Sequence, residues 1–266
     1  MMREQFETTK LHKGNGKGFF FIGCDHDKPP APTQNLLLAA LPHSDYERLL
    51  PYLTGVPLMA GSTLHGAGNK ENYLYFLVEG RVSRIHVLAD GAQAEFAVTG
   101  REGVIGLPAI LGGESMPSYA ITSESGYAYR IESSRLKTML EENGALVQLL
   151  LRYTQALMTQ IAQNCVCNRH HTIEQQLCRW LLNSLDRTDT NDLGVTHEAI
   201  AALMGVRRES VTESMSYLKK RGVIQPSRGH VVVLDRQRLE ASVCECYSVV
   251  KREYDRLLPE QFLKLS

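Results

Sequence analysis

Arg208 and Glu209 open a run in which Val211, Met215 and Leu218 recur at i, i+4 and i+7. On a helix that spacing gathers the apolar three on one face and turns Arg208, Glu209, Thr212 and Glu213 to the other. An arginine fork can donate to guanine O6 and N7, and a carboxylate can accept from the N4 amino group of cytosine; each such pair contributes about 1 to 3 kcal/mol of base discrimination. The chemistry on offer is therefore the reading of base edges in double-stranded DNA. Ser210, Lys219, Lys220 and Arg228 surround the same face and suit phosphate oxygens, contacts that position a protein without specifying sequence. Arg207 stands where a helix N-cap is expected, with its charge opposing the helix dipole. Lost capping there costs on the order of 1 kcal/mol. A phosphate contact would account for it, and a solvated arginine is the alternative.

These residues need a support that holds them outward. Before them, Ile200 and Leu203 fall on one face of a shorter helix beside Ala201, and Gly205 supplies a left-handed residue that ends it. Val206 fills the turn, so Thr196 to Ile224 is expected to form a helix-turn-helix. After it, VIQPSRGHVVVL reads as a hairpin turning at Ser227, Arg228 and Gly229, which makes a wing. Before it, Thr172 with Gln175 forms a capping-box pair for a helix buried through Ile173, Leu177, Trp180 and Leu181. Asp235 to Leu258 is expected to be one charged amphipathic helix.

The run Thr196, Glu198, Ile200, Ala201, Gly205, Arg208, Glu209, Ser210 and Val211 resembles the helix-turn-helix of the Crp/Fnr family of bacterial transcription regulators. That resemblance assigns base reading to Arg208 and Glu209. It implies a homodimer on DNA, with RNA polymerase as a further partner. The family's third reader, usually an arginine, is Glu213 here, so the usual half-site sequence does not carry over at that position.

Upstream, Val56 to Ile131 consists of strand-like runs separated by turn signals, including Asp90-Gly91 and Glu79-Gly80, as in a compact barrel or jelly roll. Gly61, the Tyr75-Phe76-Leu77 strand and Gly103 to Gly106 resemble the β-roll of cyclic-nucleotide-binding domains. Nucleotide-binding members place a glutamate after the second of these glycines and an Arg-Ser pair about ten residues later. Counting from Gly106, those positions hold Leu107 and Pro117-Ser118. An apolar side chain cannot accept a ribose hydroxyl, and proline offers an anion neither charge nor an N–H. Cyclic AMP is therefore not expected to bind in the family's usual way, and the effector stays unknown. Arg101 or Arg130 could supply a phosphate contact from elsewhere, while Leu107 to Leu111 are expected to pack as core.

Between roll and reading head, residues 143–168 read as a long helix with two apolar faces. Leu146, Leu150, Tyr153, Leu157, Ile161 and Cys165 form one; Val147, Leu151, Met158 and Ala162 lie on a second. One face is expected on the roll and the other on a second copy in a parallel dimer.

Six cysteines are present, and Cys165 and Cys167 diverge on a helix by about 200°. Cys244 and Cys246 would diverge likewise if helical. Cys167, Cys178, Cys244 and Cys246 are the candidates for a metal cluster, and CNRxH with CECY resembles a branch of the family carrying both strings; buried structural thiols are the alternative. Cys24, Asp25, His26 and Asp27 hold ligand types without the spacing of a closed site.

In 266 residues, basic and acidic side chains balance at 29 each, so DNA affinity must come from local clustering. No apolar run approaches the roughly 20 residues that span a bilayer, and a soluble cytoplasmic protein is expected. No nucleophile has an identifiable base, so no enzymatic role is expected. The fold class is α+β: an N-terminal jelly-roll-like β-roll, a long dimerisation helix and a C-terminal winged helix-turn-helix. Its domains are an extension at 1–34, a sensory roll at 35–142, the helix at 143–168, the DNA-binding part with its C-terminal helix at 169–258, and a tail at 259–266. The rival reading is a ligand- or redox-sensing module that acts through protein contacts.

Overall fold

The computed structural model describes residues 29–141 and 144–258. The Cys24 to Asp27 cluster, most of the 1–34 extension and the 259–266 tail lie outside these. Residues 29–34, assigned to that extension, lie against the roll: the Tyr129 hydroxyl donates to the Pro30 carbonyl at 2.8 Å.

Short helices α1 (Leu36–Ala39) and α2 (His43–Leu49) lead into the roll. It comprises β1 (Thr54–Leu58), β2 (Thr63–His65), β3 (Tyr73–Val87), β4 (Gln93–Thr99), β5 (Val104–Ile105), the one-turn α3 (Leu107–Ile110) and β6 (Tyr119–Glu132). The strands run β1-β6-β3-β4, with β2 also on β6 and β5 also on β3. Every pair is antiparallel. The spine is two long strands of 15 and 14 residues rather than a series of short ones. Glu79-Gly80, expected as a turn, is instead a bulge inside β3, where the register against β6 slips. Gly80 has φ +78°, and a Cβ there would lie 2.6 Å from the Glu124 carbonyl oxygen, so only glycine lets the strand bend at that point. Asp90-Gly91 does turn β3 into β4, with the Asp90 carboxylate accepting from the Ala92 N–H.

Alternation along β3 divides the core. Leu74 and Phe76 join Leu37, Leu38, Leu149 and Tyr153 on the helix side. Tyr75 and Leu77 point into the roll with Leu58, Ile105 and Ala128. A strand used on both faces reads as a continuous apolar run, as YLYFLV does. Asn35 is fully buried; its side chain caps α1 and donates to the carbonyls of Leu77 and Gly103. Helix α2 begins at His43 after Pro42, without a side-chain cap. Leu107 and Ala109 are core, as anticipated, but Leu111 is 55% exposed because the chain leaves α3 there for a glycine turn.

Helix α4 (Ser133–Leu140) precedes the long α5 (Ala145–His170), and α6 (Ile173–Leu185) follows behind the Thr172–Gln175 capping box. Strand β7 (Asp192–Leu193), α7 (His197–Met204), α8 (Arg208–Lys220), β8 (Ile224–Ser227) and β9 (His230–Val233) complete a winged helix with strand order β7-β9-β8. Leu177, Trp180, Leu181, Ile200, Val211, Met215 and Leu218 share its core. The C-terminal segment is two helices, α9 (Arg236–Ser242) and α10 (Glu245–Leu257), and not the single one expected. Val243 and Cys244 are extended and break it. Helix α10 then packs along α5, and Tyr254 and Leu258 reach the N-terminal core.

On α5, Leu146, Leu149, Leu150, Tyr153, Ala156, Gln160 and Cys167 are buried. Leu151 and Met158 are 51% and 65% exposed. Cys165, placed on the stripe of Leu146, Leu150 and Tyr153, is exposed and Ile161 half-buried, because 100° per residue carries both away from the Tyr153 face. Among the described residues no helix is long and apolar enough to cross a membrane.

Candidate nucleic-acid interface

Each segment of the helix-turn-helix is set by a local rule. The Thr196 hydroxyl caps α7 by accepting from the Ala199 N–H at 3.1 Å. Gly205, with φ +66°, ends the helix in the left-handed region, and its N–H closes onto the Ala201 and Ala202 carbonyls. The chain turns through Val206 into α8, whose Val211, Met215 and Leu218 have no exposed surface. Arg207 is the N-cap residue in extended conformation, and no side chain caps the helix. The Ser210 N–H donates to the Arg207 carbonyl at 3.2 Å, and among the described residues the Arg208 and Glu209 N–H groups are left to solvent or to an anion.

Burial of that seam fixes what faces outward. Arg207, Arg208, Glu209, Thr212, Glu213, Lys219 and Lys220 are exposed, Ser210 half-buried. Arg228 is exposed at the wing tip beside Gly229, which has φ +79°. Among the described residues none of the cations Arg207, Arg208, Lys219, Lys220 and Arg228 has a carboxylate within 4.0 Å. Thr212 is less available than its exposure implies, since its hydroxyl donates to the Arg208 carbonyl at 3.0 Å and meets His197 Nδ1 at 3.2 Å. Sequence reasoning missed His197. Burial and the nearby Arg208 guanidinium hold its imidazole below the usual histidine range, so it sits neutral at the junction of α7 and α8. The 15-residue separation from Thr212 hides this contact from a linear reading.

The roll's ligand cassette is as apolar as its sequence. Gly106 is left-handed at φ +113° and starts α3, Leu107 is buried, and Pro117 is exposed. Ser118 is fully buried, and its Oγ has no hydrogen-bond partner among the described residues. Neither arginine considered as a substitute is uncommitted: Arg101 lies 3.6 Å from Asp189, and Arg130 stacks 4.4 Å over the Tyr73 ring. Arg84, inside the roll, is held in a two-pronged pair by Glu71 at 2.7 and 2.8 Å, with His65 beside them.

Of the four candidate cysteines, Cys167, Cys244 and Cys246 converge. Cys178 does not join them; it lies in the winged-helix core, where burial pushes its thiol up to about 12. Cys165 is exposed.

Residues 175–242 match the Crp-like helix-turn-helix domain, and residues 56–143 match the cyclic nucleotide-binding domain. A CRP-like cAMP-activated global transcriptional regulator of Mycobacterium tuberculosis is 24% identical over 198 residues, spanning 72% of this chain and 88% of that protein. Among solved structures, FixK2 from Bradyrhizobium japonicum superposes with a TM-score of 0.63 at 19% identity, covering 72% of this chain and 98% of its own. The c-di-GMP responsive global regulator CLP of Xanthomonas campestris gives 0.60 at 14% identity, covering 73% and 100%. These two likenesses establish the shared fold.

Proposed function

Because this chain belongs to the Crp/Fnr family of transcription regulators, we propose that it binds double-stranded DNA as a homodimer and reads sequence through α8. The observation that carries this reading is the outward face of α8, where Arg208 and Glu209 stand exposed over a fully buried Val211, Met215 and Leu218 seam. Such a helix fits the major groove, Arg208 donating to guanine and Glu209 accepting from cytosine. Arg207, Ser210, Lys219, Lys220 and Arg228 supply phosphate contacts, the first two aided by the uncapped N-terminus of α8. Glu213 faces the groove with the opposite charge to an arginine and selects a different base partner.

Dimerisation supplies the second reading head. Val147, Leu151, Thr154, Met158, Ile161 and Cys165 follow one another at alternating steps of four and three along α5, the spacing of a parallel coiled-coil seam. The protein acts in the cytoplasm, by binding rather than by catalysis, with RNA polymerase as the partner that its regulation must reach. The roll takes an effector other than cyclic AMP in the family's usual pose, because Leu107 and Pro117 cannot make the sugar and phosphate contacts.

Mobility-shift titration with a duplex pool, alongside sedimentation of the free protein, tests this reading. A dimer that shifts selected duplexes at lower concentration than random ones is the expected outcome. A monomer with equal affinity for every duplex would refute it. Submicromolar cyclic AMP binding by calorimetry, abolished by substitutions between Leu107 and Ser118, would overturn the effector statement.

A further inference from the structure

Where α5 meets α10, four side chains from separate stretches converge. Cys167 comes from the last turn of α5, His171 follows that helix directly, and Cys244 and Cys246 come from the start of α10. One ligand atom of each lies within 4.8 Å of all the others. We propose that these three cysteines and one histidine form a closed, four-coordinate site for a single zinc(II) ion.

Two of the contacts already have the spacing of a shared ion, and all four atoms lie close enough to close on one. Zinc–sulfur bonds of about 2.3 Å and zinc–nitrogen bonds of about 2.0 Å give a tetrahedron with edges of about 3.5 to 3.8 Å. The Cys167 and Cys244 sulfurs are 3.6 Å apart, and Cys246 Sγ lies 3.4 Å from His171 Nδ1. A four-iron cluster interposes its own iron and sulfide atoms between the cysteine sulfurs, and this cage is too tight for that.

The backbone explains how ligands two residues apart can converge. Cys244 is the N-cap of α10, with ψ 166°, so Cys244 and Cys246 are not on one helix and their sulfurs turn to one point. Cys167 and His171 are one helical turn apart, the His171 N–H donating to the Cys167 carbonyl as α5 ends.

The surrounding groups favour ligation. His171 Nε2 lies 3.4 Å from Glu245 Oε2, which keeps the ring proton on Nε2 and leaves the Nδ1 lone pair facing the sulfurs. Gln163 donates to Cys246 Sγ at 3.1 Å, and Arg179 Nε donates to Cys167 Sγ at 3.2 Å. Arg179 is buried; among the described residues its remaining side-chain hydrogen bonds go to the neutral Asn164 and Asn168. Among the described residues no carboxylate lies within 4.0 Å of it, and Glu95 acts on it only from farther off. A buried cation with no carboxylate in contact is costly. Three thiolates and a neutral imidazole on zinc(II) carry one net negative charge, and Arg179 balances it. In the binding step each cysteine S–H bond gives way to a sulfur–zinc bond, three protons leave to solvent, and nothing is oxidised or reduced. The bound ion would tie the start of α10 to the α5–α6 joint, and so the reading head to the long helix.

The test uses the full chain, purified under reducing conditions, stripped with a chelator and titrated with cobalt(II). The expected result is one cobalt per chain, with thiolate-to-cobalt charge transfer and tetrahedral ligand-field bands, displaced by one equivalent of zinc. His171→Ala and Cys246→Ser weaken binding by more than about 100-fold, Glu245→Gln by about 10-fold, and Cys178→Ser leaves it unchanged. The unsubstituted chain decides the question by itself if a variant fails to fold. A six-coordinate cobalt spectrum, no stoichiometric uptake, several irons per chain after anaerobic purification, or loss of the signal in Cys178→Ser would each overturn the site.

Discussion

Arg208 and Lys220 make opposite predictions although both are exposed cations on one helix. Arg208→Ala removes a base-edge contact, so specificity relaxes at one base pair by about 1 to 3 kcal/mol. Lys220→Ala weakens all duplexes alike and flattens the salt dependence by about one ion. Binding curves on selected and random DNA at several salt concentrations distinguish them; equal losses on both DNAs for Arg208→Ala would count against its assignment. His65 yields a pH prediction. Burial holds its imidazole below the usual histidine range, with Arg84 adding to that effect and Glu71 opposing it. The unfolded chain therefore takes up this proton first as pH falls. The stabilisation is complete above about pH 6.5 and is lost below it as the folded-state value is approached. Urea midpoints at about pH 7 and about pH 5.5 should differ more for the unsubstituted protein than for His65→Gln. The outward residues of α8 were legible because a periodic apolar seam fixes its complement. His197 was not, because its partner Thr212 stands 15 residues away in sequence, and His171 was visible only as the end of the CNRxH string, its partner Cys246 lying 75 residues on.

At the scale of elements, α5 is the test piece. Its inner face meets the roll and α10, while Leu151 and Met158 remain largely exposed. Leu151→Lys with Met158→Lys should give a folded monomer by sedimentation, with unchanged circular dichroism and no specific DNA binding. Cys165 lies on the same seam, so mild oxidation of the unsubstituted protein should join two chains through Cys165; an antiparallel pairing would keep these residues apart. Helix starts and ends marked by Thr172, Thr196 and Gly205 could be read directly, because capping chemistry is local. Two features could not. Strand β3 passes through Glu79-Gly80 because β6 pairs on both sides of the bulge, and the C-terminal helix breaks at Val243-Cys244 without proline or glycine. Both depend on neighbours remote in sequence.

At the scale of the whole molecule, the winged helix is joined to the β-roll by specific contacts. Helix α7 packs against β4, and Arg187 pairs with Glu102 at 2.7 Å with both side chains nearly buried. Glu102→Gln leaves a buried charge without its partner and should lower unfolding stability by about 3 kcal/mol in urea titrations, whereas Glu102→Gln with Arg187→Met recovers much of that. The order of domains was legible from turn signals and apolar periodicity; the packing of α10 along α5 was not, since its charged sequence suits several surfaces. The central claim is that two copies of α8 read one DNA site. Selection of bound sequences from a random duplex pool by the full chain measures this most directly. Two inverted half-sites centred about 10 bp apart, with one base position losing its selection in Arg208→Ala, is the predicted outcome. A pool that remains random, or an enriched motif indifferent to Arg208, would contradict it.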